Sequence, residues 1–560
     1  MMVLGLVMAL FSPQADGQDG AAASTDEVAK KAPFDEQALM EALKVSGLQF
    51  TDAELAQLLP AALDRIGEYA ALRSRSIENS VAPASHFRPL ERSPTVTAEQ
   101  LPATDPLPDA IRPDDLQELL WAQIPQLASL IKTKQVSCLE LTELFLARLK
   151  EVDPILHCVI SYTEQRARDR AKLLDAEIAA GKWRGPLHGI PYGVKDLCAV
   201  KGTVTSWGAM PYKDQVIDTD ATVVQKLDAA GAILVAKTTL GALAMGDVWY
   251  GGKTLSPWNI ERGSSGSSAG SAAAVGAGAL PFAIGSETLG SIVSPSTRCG
   301  NSSLRPTFGR VSRHGAMALS WSMDKLGPIC RSLQDTALVL DAIRGADGLD
   351  LDCVDRPFEA PGSTSIEGWK IGYSPAAFER SSEHGSVLEE MKNLGAELVE
   401  IELPDYPVWP MMVILFAESA CAFDELTRSD VDDELVEQGP QAWPNSFRAA
   451  RLIPAVEYIR AQRLRTLLMR DTARALSGVD AYIAPAGNFR SLGITNLTGH
   501  PSLVAPCGFG DNRMPRSITI IGHPHDEARL IALGSAWQAV TDYHEKRPTL
   551  EANVEEKERD

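Results

Sequence analysis

Cysteine and histidine are scarce in this chain, 8 and 9 among 560 residues. Eight cysteines are too few to staple a chain of this length, and none are spaced Cys-x-x-Cys. No His-Glu-x-x-His occurs, and the one close pair, His523 and His525, lacks the cysteine or carboxylate pattern of a zinc site. A metal enzyme is disfavoured and no cofactor is expected. Long apolar runs are missing too. Val3–Phe11 spans nine residues, far short of the roughly 20 needed to cross a bilayer, so no membrane span is expected. Cationic residues are in deficit, with Lys plus Arg at 53 against Asp plus Glu at 73 and a net charge of −20. That balance argues against a dedicated nucleic-acid binder, which needs a basic surface to neutralise phosphates. No internal repeat is found.

What is present is ordinary for a globular protein, with 45% hydrophobic and 22% charged residues, which excludes disorder of the whole chain. The length allows several domains, or one catalytic domain with an extension. Residues 1–24 read as a signal peptide: the apolar run is followed by Ser12, Pro13 and two small-x-small sites, Ala15-Asp16-Gly17 and Ala21-Ala22-Ala23. The expected location is periplasmic or extracellular. No Lys or Arg precedes the run, and if the segment is only a disordered tail the location is cytoplasmic. Residues 25–114 form a helical extension and connector. Leu39, Leu43 and Val45, then Leu55, Leu58, Leu59, Leu63 and Ile66, recur at helical spacing. Thr51 followed by Glu54 is a capping box, and five prolines between 93 and 113 mark an extended connector.

Residues 115–548 form the main domain, and 549–560 a charged tail. Ser137 and Glu140 are spaced as another capping box. Asp220 opens a helix that Gly231 ends, and Ala232–Ala236 is a buried-strand run. Short apolar runs return at Lys370–Tyr373, Ala481–Ala484 and Ile518–Ile521. Strands alternating with helices predict an α/β sheet covered on both faces.

The densest chemical signal is Gly263–Ser291, two Gly/Ser loops separated by an Ala-rich helical run and the apolar segment Leu280–Ile284. Flexible linkers do not alternate with core-grade segments in this way. A phosphate loop needs a lysine after its second glycine, and none follows. Gly266-Ser267-Ser268-Ala269-Gly270 matches a nucleophile elbow by letters, yet polar residues 257–262 precede it where an apolar strand is required. The remaining reading is a serine nucleophile in the second loop, served by a serine in the first and by a lysine. Lys195, at the end of the strand-like stretch Gly189–Lys195, is the candidate; its bland alternative is a surface lysine.

Gly189–Asp196, Gly263–Gly300, Ser303–Ser312 and Met323–Pro328 together strongly resemble the amidase signature family of serine hydrolases, with weaker likeness at Tyr458–Arg465 and Asn496–Pro501. The resemblance covers about residues 115–548. It implies an α/β fold with a mixed, mainly parallel central sheet between helices. It implies a Ser-Ser-Lys relay: Lys195 as base, Ser267 (held by a cis peptide in the family) as relay, and Ser291 as nucleophile. Ser264, Ser265 and Ser268 are near-miss alternatives for the relay. The N–H groups of Thr288, Leu289, Gly290 and Ser291 would hold the oxyanion. A desolvated lysine is neutral near pH 7 and can accept a proton, and a serine hydroxyl is a weak nucleophile until a base takes its proton. The family usually has glycine, arginine and aspartate where this chain has Leu289, Val293 and Glu287. A side chain at 289 is expected to restrict the turn that aims the oxyanion donors.

The implied function is hydrolysis of a small-molecule carboxamide through an acyl-enzyme. The alternative is the glutaminase component of a tRNA-dependent amidotransferase, which meets nucleic acid only indirectly through its complex; a third is a non-catalytic member reusing the fold. Cys299, Cys330 and Cys507 read as core thiols. The sequon Asn496-Leu497-Thr498 reads as a structural turn. Arg305 and Arg310 read as partners of carboxylates in the sheet or as a charged rim. Nothing in the sequence specifies the amide.

Overall fold

Short all-apolar runs become the strands of one large sheet. The computed structural model describes residues 33–44, 48–75, 84, 107–361, 365–510 and 512–550. The leader-like residues 1–24, most of the connector and the tail from 551 lie outside the described residues. The chain divides into two compact units: one holds residues 1–88, 318–322 and 404–471, the other 89–317, 323–403 and 472–560.

Among the described residues the large sheet of the larger unit has eleven strands: β1 (Val159–Tyr162), β2 (Pro191–Lys195), β3 (Ile233–Thr238), β4 (Phe282–Glu287), β5 (Ser302–Arg305), β6 (Lys325–Cys330), β7 (Lys370–Tyr373), β8 (Glu397–Glu400), β9 (Ala481–Pro485), β10 (Ser502–Phe509) and β11 (Pro515–Ile521). Their order across the sheet is β1-β3-β2-β4-β6-β5-β10-β11-β9-β7-β8. Every residue of β2, β3, β4, β5, β6 and β9 is buried, so helices and loops cover both faces. The sheet is mixed, as the resemblance implied, but it is not mainly parallel. Only β2 with β3, β2 with β4, β7 with β8 and β7 with β9 run parallel. Parallel neighbours need a crossover, and β2 reaches β3 through the helix α2 named below; β10 instead returns directly as β11, an antiparallel hairpin.

Helices of this unit begin and end where capping chemistry allows. The helix α1 (Cys138–Leu156) starts on Ser137, whose hydroxyl accepts from Glu140 N at 3.0 Å. The reciprocal half of the expected box is absent, because Glu140 turns to Arg112 instead, at 2.5 and 2.9 Å. The helix α2 (Thr222–Ala230) stops at Gly231, whose φ of +89° is left-handed. Three further helices frame the site: α3 (Ala269–Gly276), α4 (Val293–Cys299) and α5 (Phe489–Thr498).

In the smaller unit the predicted extension helices are Glu36–Leu43 and Asp52–Arg73. Both bonds of the Thr51–Glu54 capping box are formed. The apolar faces read from the sequence meet: Leu39, Leu43, Leu55, Leu58 and Ala62 pack with Ala449 from the helix Trp443–Ala450. Tyr69 donates to Leu452 O at 3.1 Å and Arg73 to Glu457 at 2.8 Å. The extension is thus part of the core formed with residues 404–471. Among the described residues no helix is long and apolar enough to cross a membrane.

Candidate active site

Parallel strands β2 and β4 are neighbours in the sheet, with Val194 opposite Ile284. The last residue of β2, Lys195, lies one step beyond that pair and so comes beside Ser286, one residue before the end of β4. The fully buried Lys195 Nζ lies 2.7 Å from Ser267 Oγ, 2.9 Å from Ser286 Oγ and 3.2 Å from Ser268 Oγ. Among the described residues it pairs with no carboxylate. Burial without a countercharge pulls its pKa down to about 7. Hydroxyls suit both of its forms, since each can accept from an ammonium or donate to a neutral amine.

The first serine loop, residues 264–268, links the strand Asn259–Gly263 to α3. The Gly266–Ser267 peptide is cis. A Cβ on Gly266 would sit 1.8 Å from Gly246 O, so only glycine fits. Asp247 accepts from Ser265 N at 2.9 Å. Ser268 Oγ donates to Ser286 O and accepts from Ser286 N, both at 3.1 Å. The Ala-rich helix that follows is buried at all eight positions and is keyed to β4 by Ser271 Oγ, which donates to Ile284 O at 3.1 Å. Of the near-miss hydroxyls, Ser264 donates to Ser265 O and Ser265 bonds Ser294 at 2.6 Å. Neither touches the lysine. Ser268 does, but at longer range than Ser267.

The second loop runs from Thr288 to Ser291. Its backbone is tied to the first loop where Ser268 N donates to Ser291 O at 3.1 Å. Ser291 is 9% exposed, and among the described residues its hydroxyl has no hydrogen-bond partner, Ser267 included. The N–H groups of Thr288, Leu289, Gly290 and Ser291 donate to no acceptor among the described residues, an unusual run for a buried segment. They are four available donors in one turn. The sequence-based expectation that Leu289 restricts this turn is not met. The left-handed residue is Gly290, at φ +85°, and Leu289 has no positive φ. The side chain therefore sits on backbone that any residue adopts. Val293 is fully buried in the first turn of α4.

The family model Amidase matches residues 140–531. The chain belongs to the amidase family. It is a hydrolase of amide carbon–nitrogen bonds. The A-type component of glutamyl-tRNA(Gln) amidotransferase from Roseiflexus sp. (strain RS-1) is 34% identical over 467 residues, covering 74% of this amidase and 96% of that protein. Its counterpart from Coxiella burnetii (strain RSA 493 / Nine Mile phase I) is 32% identical over 481 residues, 76% of this chain and 99% of that one. Among solved structures, native peptide amidase from Stenotrophomonas maltophilia superposes with a TM-score of 0.67 at 28% identity, covering 76% of this chain and 98% of the other.

Several site residues of this amidase escaped the sequence reading. Ser286 contacts the lysine because β2 and β4 are parallel neighbours, which only topology reveals. Asn496, in the sequon, is fully buried and donates to Glu287 at 2.8 Å. Arg305 finds the carboxylate that sequence reading left unnamed: Glu287, at 2.7 Å. Thr288 Oγ1 donates to Asp324 at 2.5 Å. Cys299, Cys330 and Cys507 are buried, and burial pushes each thiol up, away from reactivity. Among the described residues no group of three or more His, Cys, Asp or Glu is arranged to hold a metal ion.

Proposed function

We propose that this chain is a self-sufficient amidase working through Lys195, Ser267 and Ser291. The observation that carries the reading is the buried lysine without a countercharge, 2.7 Å from Ser267, beside a turn with four unpaired N–H groups. Neutral Lys195 accepts the Ser267 proton as Ser267 accepts that of Ser291. Ser291 Oγ attacks the carbonyl carbon, and the oxyanion settles among the N–H groups of residues 288–291. The tetrahedral intermediate collapses as the relay returns the proton to the leaving nitrogen. Water, deprotonated by the same relay, then releases the acid and regenerates Ser291. The Ser267–Ser291 hydrogen bond forms in the substrate complex, as catalytic contacts often tighten there.

The names of the curated relatives support a second reading, that the chain supplies ammonia as one component of an amidotransferase complex. Ammonia release separates the two. The purified chain, beside Ser291→Ala, is given aliphatic, aromatic and amino-acid amides, glutamine included. Release by the chain alone that vanishes in the variant supports the self-sufficient amidase. Release seen only for glutamine, and only with copurifying proteins, favours the amidotransferase component. Equal release from both proteins rejects the nucleophile. The leader-like residues 1–24 support export, which N-terminal sequencing of secreted protein tests.

A further inference from the structure

Glu287, the last residue of β4, is fully buried four positions before Ser291. Its Oε2 accepts from Ile292 N at 2.8 Å and Val293 N at 2.9 Å. Its Oε1 accepts from Arg305 Nη1 at 2.7 Å and Asn496 Nδ2 at 2.8 Å. Four donors from three parts of the chain therefore converge on two oxygens. Only an ionised carboxylate offers that capacity, because a carboxamide has one acceptor oxygen and turns N–H donors toward the rest. Burial alone would push this carboxyl up, but the Arg305 guanidinium and the amides outweigh it and hold it at about 2.

The partners are themselves fixed. Arg305 ends β5 and also donates to His500 O at 2.9 Å. Asn496 also donates to Leu492 O at 3.0 Å on α5, and a Cβ on Gly290 would meet Leu492 Cδ2 at 3.2 Å. One helix thus supports both ends of the turn. Val293, in the first turn of α4, is buried and uncharged, and the cation on the carboxylate is Arg305 of β5.

We propose that Glu287, clamped by Arg305 and Asn496, is a positioning residue that closes residues 287–292 into a ring and keeps the N–H groups of 288–291 free to receive the oxyanion. The carboxylate takes up the two amides that follow the nucleophile, so the turn can satisfy them without folding its own donors inward. This inference rests on Ser291 being the nucleophile.

A small fluorophosphonate tests it without a known substrate, since Ser291 Oγ displaces fluoride from phosphorus at a rate set by the same loop. Labelling of wild type, Glu287→Gln and Glu287→Gln/Arg305→Met is compared with their melting temperatures. Glu287→Gln should label about 100-fold more slowly, the scale of losing one oxyanion donor. The double variant removes the stranded guanidinium and should regain much of the melting temperature, yet stay as slow. Asn496→Leu strands no charge and removes an amide whose Oδ1 is already unpartnered. It keeps the test open if the others fail to fold, and should label about tenfold more slowly at near-unchanged stability. Wild-type labelling rates in Asn496→Leu or in the double variant would reduce the clamp to a stability element and overturn the inference. Absence of labelling at Ser291 in the wild type would instead overturn the nucleophile, and this inference with it.

Discussion

Lys237 and Asp196 form an ion pair, Nζ to Oδ1 at 2.7 Å, with both side chains fully buried. Lys237 lies on β3 opposite Val194, so two buried lysines stand on adjacent strands. Asp196 is claimed by Lys237 and also accepts from Ser206 N and Oγ at 2.7 and 2.6 Å. Lys195, next to it in sequence, is left with hydroxyls. Among the described residues Lys195 pairs with no carboxylate, and burial lowers its pKa to about 7.

The rate should therefore depend on pH with a known sign. In the proposed relay the active form is deprotonated Lys195, whose pKa burial lowers to about 7. kcat/KM should rise with pH through about 7 and then level. Lys195→Arg cannot lose its proton in this range and should be slower by about 10²–10⁴ at every pH. A pH–rate profile of both proteins on any turned-over amide checks this.

Burying that lysine should cost stability. Its pKa is 10.5 ordinarily and about 7 in the fold, so the unfolded chain binds the extra proton between those values. The penalty is full below pH 7 and fades as pH rises toward 10.5; at about 1.4 kcal/mol per unit it is roughly 5 kcal/mol. Lys195→Met should be inactive yet melt higher than wild type at pH 6, with the difference shrinking by pH 9.5. Thermal unfolding at the two pH values measures it. Equal melting temperatures at pH 6 would mean that the lysine is not buried unpaired.

Leu289 and Gly290 should respond in opposite ways to substitution. Leu289 sits on ordinary backbone, so Leu289→Gly should change turnover less than tenfold and cost about 0.5–1 kcal/mol through chain entropy. Gly290 has φ +85° and its added Cβ would press on Leu492. Gly290→Ala should lose about 1–2 kcal/mol to strain and most of its turnover, because the same rotation re-aims an oxyanion donor. Steady-state kinetics and urea melts on the two variants decide it.

The sequence showed the residues of this site more readily than their partners. Lys195, Ser267 and Ser291 stand in local motifs, and β3, β7, β9 and β11 in local apolar runs. Arg305 and Asn496 were visible as residues but not as a clamp, because they lie 18 and 209 positions from Glu287 and meet it only through the order of the strands. The parallel fraction of the sheet was misjudged for the same reason: pairing direction is decided by which strands become neighbours. The helix Asp52–Arg73 was legible from its spacing and capping box, whereas its packing against Ala449 joins segments far apart in the chain.

The helix behind the first serine loop has consequences for how such a protein can change. Ala269–Gly276 is built from Ala, Gly, Ser and Val, and none of it reaches solvent. A Cβ on Gly270 would lie 2.2 Å from Cys158 O, and one on Gly276 2.5 Å from Cys299 O. Side-chain volume is capped at these positions, so drift toward larger residues is closed to it. A lineage or a laboratory library altering acyl preference must leave these eight positions nearly untouched and find its variation elsewhere in the chain.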